Sequence, residues 1–182
     1  MDNKDDVPNS LGSFLTKKGI QNIDIYVKTS ISTSKLSQLR NGTLKSIDAE
    51  DFVLIAKSAD IPIEEMLINT YPTLILNNSK TKIEDSESVE DFFLYIEEKA
   101  LSKIFKLTGI VVDRLKFIRK GSVKPKAHEL YLIELASNAP IGCLFKIKFK
   151  NIQLNSPEKQ NELREKEREK NRNKKQSHSN SR

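Results

Sequence analysis

Cys143, His128 and His178 are the residues of this 182-residue chain that could act as nucleophile, general base or soft metal ligand. Cys143 is the only cysteine, so it cannot close an intramolecular disulfide, and with two histidines it makes no recognisable zinc spacing. It lies in the apolar run IGCLFKIKF, which reads it as a small buried side chain. Neither histidine has a context resembling a nucleophilic triad, and there is no GxGxxG and no GKS/T phosphate loop. These residues point away from an enzyme, and neither a cofactor nor a metal is expected.

Charge is the remaining chemical signal. The net charge is +6, and it is unevenly spread. Residues 1–70 hold 8 Lys/Arg against 10 Asp/Glu, and 71–87 hold 2 against 3. Residues 88–150 hold 12 against 7, and 151–182 hold 9 against 5, so the basic character belongs to the second half. That distribution suits a polyanionic partner. No apolar run reaches the roughly 18 residues of a membrane span, so no membrane partner is expected. The opening MDNKDDVPNS is acidic and polar, unlike a secretory signal. A cytoplasmic, nucleoid-associated protein is the expectation.

The elements that carry these charges repeat. SISTSKLSQLRNG at 30–42 and GIVVDRLKFIRKG at 109–121 both end in an Arg two residues before a Gly. At an offset of 79, Leu15 falls on Leu94, Ile25 on Ile104, Thr29 on Thr108, Leu36 on Leu115, Arg40 on Arg119 and Gly42 on Gly121. One deletion after that Gly changes the offset to 78, and Leu54 then meets Leu132, Ile55 meets Ile133 and Pro62 meets Pro140. The agreement falls at apolar and punctuating positions, where a shared fold imposes it.

Each copy breaks into five short helical pieces, an all-α reading. In the first, Ser10 and Asn22 are available as caps for SLGSFLTKK and NIDIYVKT, and Gly42 stops STSKLSQLR. Asp48 is placed to cap AEDFVLIAKSA, and Pro62 opens PIEEML. The second reads VEDFFLYIEEK, LSKIFKL, VVDRLKFIR, AHELYLIELAS and PIGCLFKIKF, with Gly109 at the turn position held by Ser30. Leu36, Leu39, Phe52, Leu54, Ile55, Leu115, Ile118, Leu130, Leu132 and Ile133 are the expected core, and FFLYI at 92–96 reads as a buried stripe or a dimer seal.

The stretches VKTSISTSKLSQLRNGTLKSIDAEDFVLIAKSADIPIEEML and FKLTGIVVDRLKFIRKGSVKPKAHELYLIELASNAPIGCLF resemble the Cro/lambda-repressor-like (Xre-type) helix-turn-helix family. The resemblance covers about two-thirds of the chain. It implies two tandem five-helix lambda-repressor-like helix-turn-helix domains plus a charged C-terminal tail, acting as a transcriptional regulator on double-stranded DNA. In that family the third helix enters the major groove. Carried over, Thr33, Ser34, Lys35, Ser37 and Gln38 would face DNA in the first copy, with Arg40, Asn41 and Lys45 near phosphates. The second copy offers Val112, Asp113, Arg114, Lys116 and Phe117, with a basic rim of Arg119, Lys120, Lys124 and Lys126. Asn22 stands where members carry a phosphate-touching Gln; the second copy has Leu101 there, which cannot donate. Phe117 is expected to pack between the copies. The acidic first copy and the Leu101, Val112 and Phe117 departures also fit a second reading, in which the fold serves as a protein–protein interaction or dimerisation module, with a homodimer in view.

The resulting division is 1–70, a helix-turn-helix domain; 71–87, a linker whose TLIL lies against a domain; 88–150, a second such domain; and 151–182, a tail, partly helical or disordered. Leu163 is the only apolar residue after Pro157, so the tail has no stripe to bury. Past Asn171 it carries only positive charge, which could add salt-sensitive affinity for DNA.

Overall fold

The computed structural model describes residues 7–74, 76 and 100–179, with side chains as far as residue 173. VEDFFLYIEEK and most of the linker lie outside the described residues. All regular structure among the described residues is helical: α1 (Leu11–Lys17), α2 (Asn22–Thr29), α3 (Thr33–Arg40), α4 (Ala49–Ser58), α5 (Ile63–Thr70), α6 (described over 100–108), α7 (Val112–Lys120), α8 (Ala127–Ala136), α9 (Cys143–Lys148) and α10 (Pro157–Ser179). No described helix is long and apolar enough to cross a membrane.

The repeat seen in the sequence is also a repeat of backbone conformation. Shifting α4 by 78 residues gives the bounds of α8. Ser30 and Gly109 share left-handed φ values of 64° and 74°, Gly42 and Gly121 share 73° and 71°, and Asp60 and Asn138 share 55° and 53°. The α4–α5 connection carries the Ile61 N–H to the Ala56 carbonyl at 3.0 Å, and its counterpart carries the Ala139 N–H to the Glu134 carbonyl at 2.9 Å. Only one of the two needs a further support. Buried Glu134 takes the place of Ala56, and its carboxylate accepts the Gly142 and Leu144 N–H groups at 2.8 and 2.7 Å. Burial pushes the Glu134 carboxyl above its ordinary value despite those bonds.

The two halves meet through equivalent residues. The Ala49 N–H donates to the Pro125 carbonyl at 3.0 Å, and the Ala127 N–H donates to the Ile47 carbonyl at 2.8 Å. The 78-residue offset turns each bond into the other, so the contact has a local two-fold relation centred on the antiparallel bridge Asp48–Lys126. A self-complementary contact of this kind is the pattern of a symmetric dimer, here within one chain. α4 packs on α8 beside it. The aromatic side chains extend the seam: Phe52 lies 6.1 Å from Tyr71 and 6.0 Å from Phe145, and Tyr71 lies 6.3 Å from Tyr131. Ala127, Leu130, Tyr131 and Phe145 thereby join the core built by α1–α5. Of the expected core, Leu54, Ile118 and Ile133 are half-buried and the other seven are buried. Leu74 of TLIL packs against the core.

Several caps differ from expectation. Asp48 stands at the N-cap of α4, but its carboxylate makes no capping bond. Two ammonium groups draw it away, Lys126 at 2.7 Å and Lys35 at 3.5 Å, because a charge-assisted contact outweighs one to a neutral amide. Ser10 makes no side-chain cap either; the Leu11 N–H donates to Asn9 Oδ1 instead. Asn22 is the first residue of α2, after the N-cap Gln21. Cys143 is only half-buried, at the start of α9.

α1 crosses the end of α3 at Gly12, which is buried. A Cβ there would lie 2.0 Å from the Arg40 carbonyl oxygen and 2.8 Å from the Arg40 Cα. Only glycine permits so close an approach of backbone to backbone. The tail is not a free end: α10 packs chiefly along α2, and Leu163 is buried there. A single apolar side chain is enough because Asn155 and Arg164 hold the helix on either side of it.

Candidate nucleic-acid interface

The turn between α2 and α3 is built by one hydroxyl. Thr29 Oγ1 donates to the Ile25 carbonyl at 2.7 Å and accepts the Ile31 N–H at 3.1 Å. Thr108 makes the same two bonds, to the Ile104 carbonyl at 2.7 Å and from Ile110 at 3.1 Å. Between them Ser30 and Gly109 take the left-handed conformation that reverses the chain in few residues. Both copies therefore present a helix, this tight turn and a second helix.

α3 begins at Ser32, whose side chain accepts the Lys35 N–H at 3.2 Å. Leu36 and Leu39 face inward at three-residue spacing, which leaves Ser34, Ser37 and Gln38 exposed on the other side and Thr33 half-buried. Asn22 donates to Ser37 Oγ at 3.1 Å, so α2 and α3 are linked on this outer face. Lys35 is tied down: its ammonium lies 2.5 Å from Asp51 and 3.5 Å from Asp48, and the Asp51 contact raises its pKa. Arg40 is tied to the fold as well. Its guanidinium donates to the Ile20 carbonyl and, at 3.3 Å, to Thr16 Oγ1, and burial lowers its pKa. Asn41 closes the turn by accepting the Thr43 N–H at 3.1 Å, and Lys45 is exposed. The exposed face of α3 is polar and uncharged, rich in hydroxyls and one amide.

The face of α7 is different. Arg114 donates to both carboxylate oxygens of Glu129, at 2.8 and 2.9 Å, and to the Lys124 carbonyl at 3.0 Å. It fastens α7 to α8, and Glu129 completes the fastening by accepting the Lys126 N–H at 2.7 Å. Burial works against the Glu129 charge, but the Arg114 guanidinium and the Lys126 N–H together outweigh it and hold the carboxyl below its ordinary value. Lys116 lies 3.9 Å from exposed Asp113, and Lys124 lies 3.2 Å from Glu50 of the other half. Arg119 and Lys120 are exposed at the end of α7. Phe117 does not pack between the halves; it is 49% exposed, because the seam runs through α4 and α8 and leaves α7 outside it.

The tail adds a third element. Gln21, Asn22, Thr33, Arg40, Glu167 and Asn171 line one open groove between the start of α2, the two ends of α3 and the tail helix. Sequence reasoning did not bring the tail here; the signal was Leu163, a lone apolar residue in an otherwise polar helix. Compared with protein-family models, with characterised proteins and with solved structures, the chain matches none of them.

Proposed function

We propose that this protein is a sequence-specific DNA-binding regulator of transcription, a single-chain counterpart of a helix-turn-helix dimer. The observation that carries the reading is the combination of two identically bonded helix-turn-helix units with a reciprocal, two-fold contact between them. On duplex DNA such a pair approaches as a dimer does, with α3 and α7 as the two reading helices. Ser34, Ser37 and Gln38 supply hydroxyl and amide groups suited to base edges, Gln favouring adenine. Lys116, Arg119 and Lys120 supply charge for phosphates beside the second unit. Lys35 must leave Asp51 to touch a base, and Arg114 and Arg40 act by holding the scaffold.

The two-fold relation makes the target a pair of unlike half-sites in inverted order. Selection from a random duplex library with the full-length protein, at near-physiological salt, tests this. An enriched motif with two different halves arranged head to head is the expected result. Two halves in direct repeat would refute the geometry, and no motif with binding that vanishes as salt rises would refute sequence reading. One observation favours a second role for the fold, as a protein interaction module: Val111 and Phe117 are 54% and 49% exposed on the unit whose reading helix should be polar.

A further inference from the structure

α10 is set antiparallel to α2 by contacts along its length. At the C-terminal end of α2, the Asn155 N–H donates to the Lys28 carbonyl at 2.7 Å, and its side-chain amide donates to the Val27 carbonyl at 2.8 Å and to Ser30 Oγ at 2.9 Å. Further on, Leu163 is buried and Arg164 lies 3.6 Å from Asp24, the third residue of α2. Glu167 and Asn171 then reach the groove at Gln21 and Asn22, where α2 begins. The helix continues beyond Asn171 to Ser179. At 1.5 Å per residue the eight residues after Asn171 add roughly 12 Å of helix.

The charge changes at that same point. Residues 157–171, which lie along α2, hold five Lys/Arg and five Asp/Glu. Residues 172–182 hold Arg172, Lys174, Lys175 and Arg182 and no acid. Thr33 and Arg40, the first and last residues of α3, line the same groove, so α10 passes beside the helix proposed to read DNA.

We infer that α10 is a one-sided phosphate clamp: its cationic end meets the DNA backbone just outside the half-site read by α3. This rests on the DNA-binding reading. It gives the first unit, whose reading-helix cations Lys35 and Arg40 are engaged within the fold, the electrostatic grip that α7 carries on its own surface. The clamp adds affinity without adding base preference, and on one flank of the site only.

The test compares the full-length protein with the triple variant Arg172→Gln, Lys174→Gln, Lys175→Gln, which keeps the docked part of the helix, and with a chain ending at Asn171. Binding to the selected duplex is measured across a salt series, with the duplex trimmed at either flank in turn. Each phosphate contact contributes about 0.9 to the salt slope, so three lost contacts should flatten it by nearly 3 and weaken binding roughly 10- to 100-fold at 0.15 M salt. Base preference should not change. Trimming one flank should erase the difference between the proteins, and trimming the other should not. An unchanged slope would overturn the clamp and leave the DNA reading standing; tighter binding by the variants would overturn it in favour of an autoinhibitory helix. Failure of the full-length protein to bind any duplex at low salt would remove both.

Discussion

Replacing Gly12 by Ala sets two effects of opposite sign against each other. On helix propensity alone the change stabilises α1 by about 0.8–1 kcal/mol. The new methyl, however, would stand 2.0 Å from the Arg40 carbonyl oxygen and 2.7 Å from the Arg40 carbonyl carbon, both inside the 3.0 Å below which such contacts are essentially never found. Both partners are backbone, and neither can swing aside. α3 would have to retreat from α1, and Arg40, bonded to the Ile20 carbonyl, resists that movement. Overpacking of this kind costs about 2–3 kcal/mol, so the net effect is a loss of about 1–2 kcal/mol. For a chain of this size that lowers the thermal midpoint by about 2–8 °C, read by far-UV circular dichroism. Ser13→Ala, one residue along on the exposed side of α1, is the control and should leave the midpoint unchanged or slightly raised. A Gly12→Ala protein as stable as the parent, or more so, would show that α1 and α3 do not cross where described.

Arg114→Ala should cost about 2–3 kcal/mol in urea unfolding, because it leaves the buried Glu129 carboxylate without its partner. Arg114→Lys should recover little of this, since a point charge cannot match both oxygens. Glu129 also sets an acid limit: its folded pKa is depressed, so its contribution is complete above the ordinary value of about 4.3 and disappears as pH falls below it. A pH titration of stability should show that loss in the parent and a weaker one in Arg114→Ala; equal losses would refute the assignment. Leu163→Ala should release α10, visible as faster tryptic cleavage at Arg164 and Lys166 with the core still resistant. An unchanged digestion pattern would mean that Asn155 and Arg164 hold the helix without it.

How much of this could be read from the sequence depended on the range of the interaction. Leu36, Leu39, Phe52 and Ile55 were legible as core because helical spacing alone puts them on one face. Gly42 was legible as a helix stop because few other residues accept its φ of 73°. Asp48 was misread as a cap because the competing ammonium groups come from Lys35 on another helix and Lys126 78 residues away. The intramolecular partners of Arg40 and Arg114, the Ile20 carbonyl and Glu129, were hidden for the same reason, since they lie 20 and 15 residues away. The repeat could be seen in the sequence, but the reciprocal bonds between Ala49, Pro125, Ala127 and Ile47 could not, because nothing local marks which faces of two similar units will meet.

That reciprocal contact has a consequence for how such a regulator responds to its own abundance. Two separate subunits must first find each other, and occupancy of their target then rises with roughly the square of subunit concentration when that concentration is low. Here the second unit is covalently supplied at fixed stoichiometry, which replaces an association step by an intramolecular one. In the proposed role the dose–response is therefore simple and hyperbolic down to single molecules per cell, with no threshold for assembly. The two units are also free to differ, and α3 and α7 do so on their exposed faces. In the proposed role such a protein would have a front and a back on its site and so could distinguish the two directions along a promoter, which a symmetric dimer cannot.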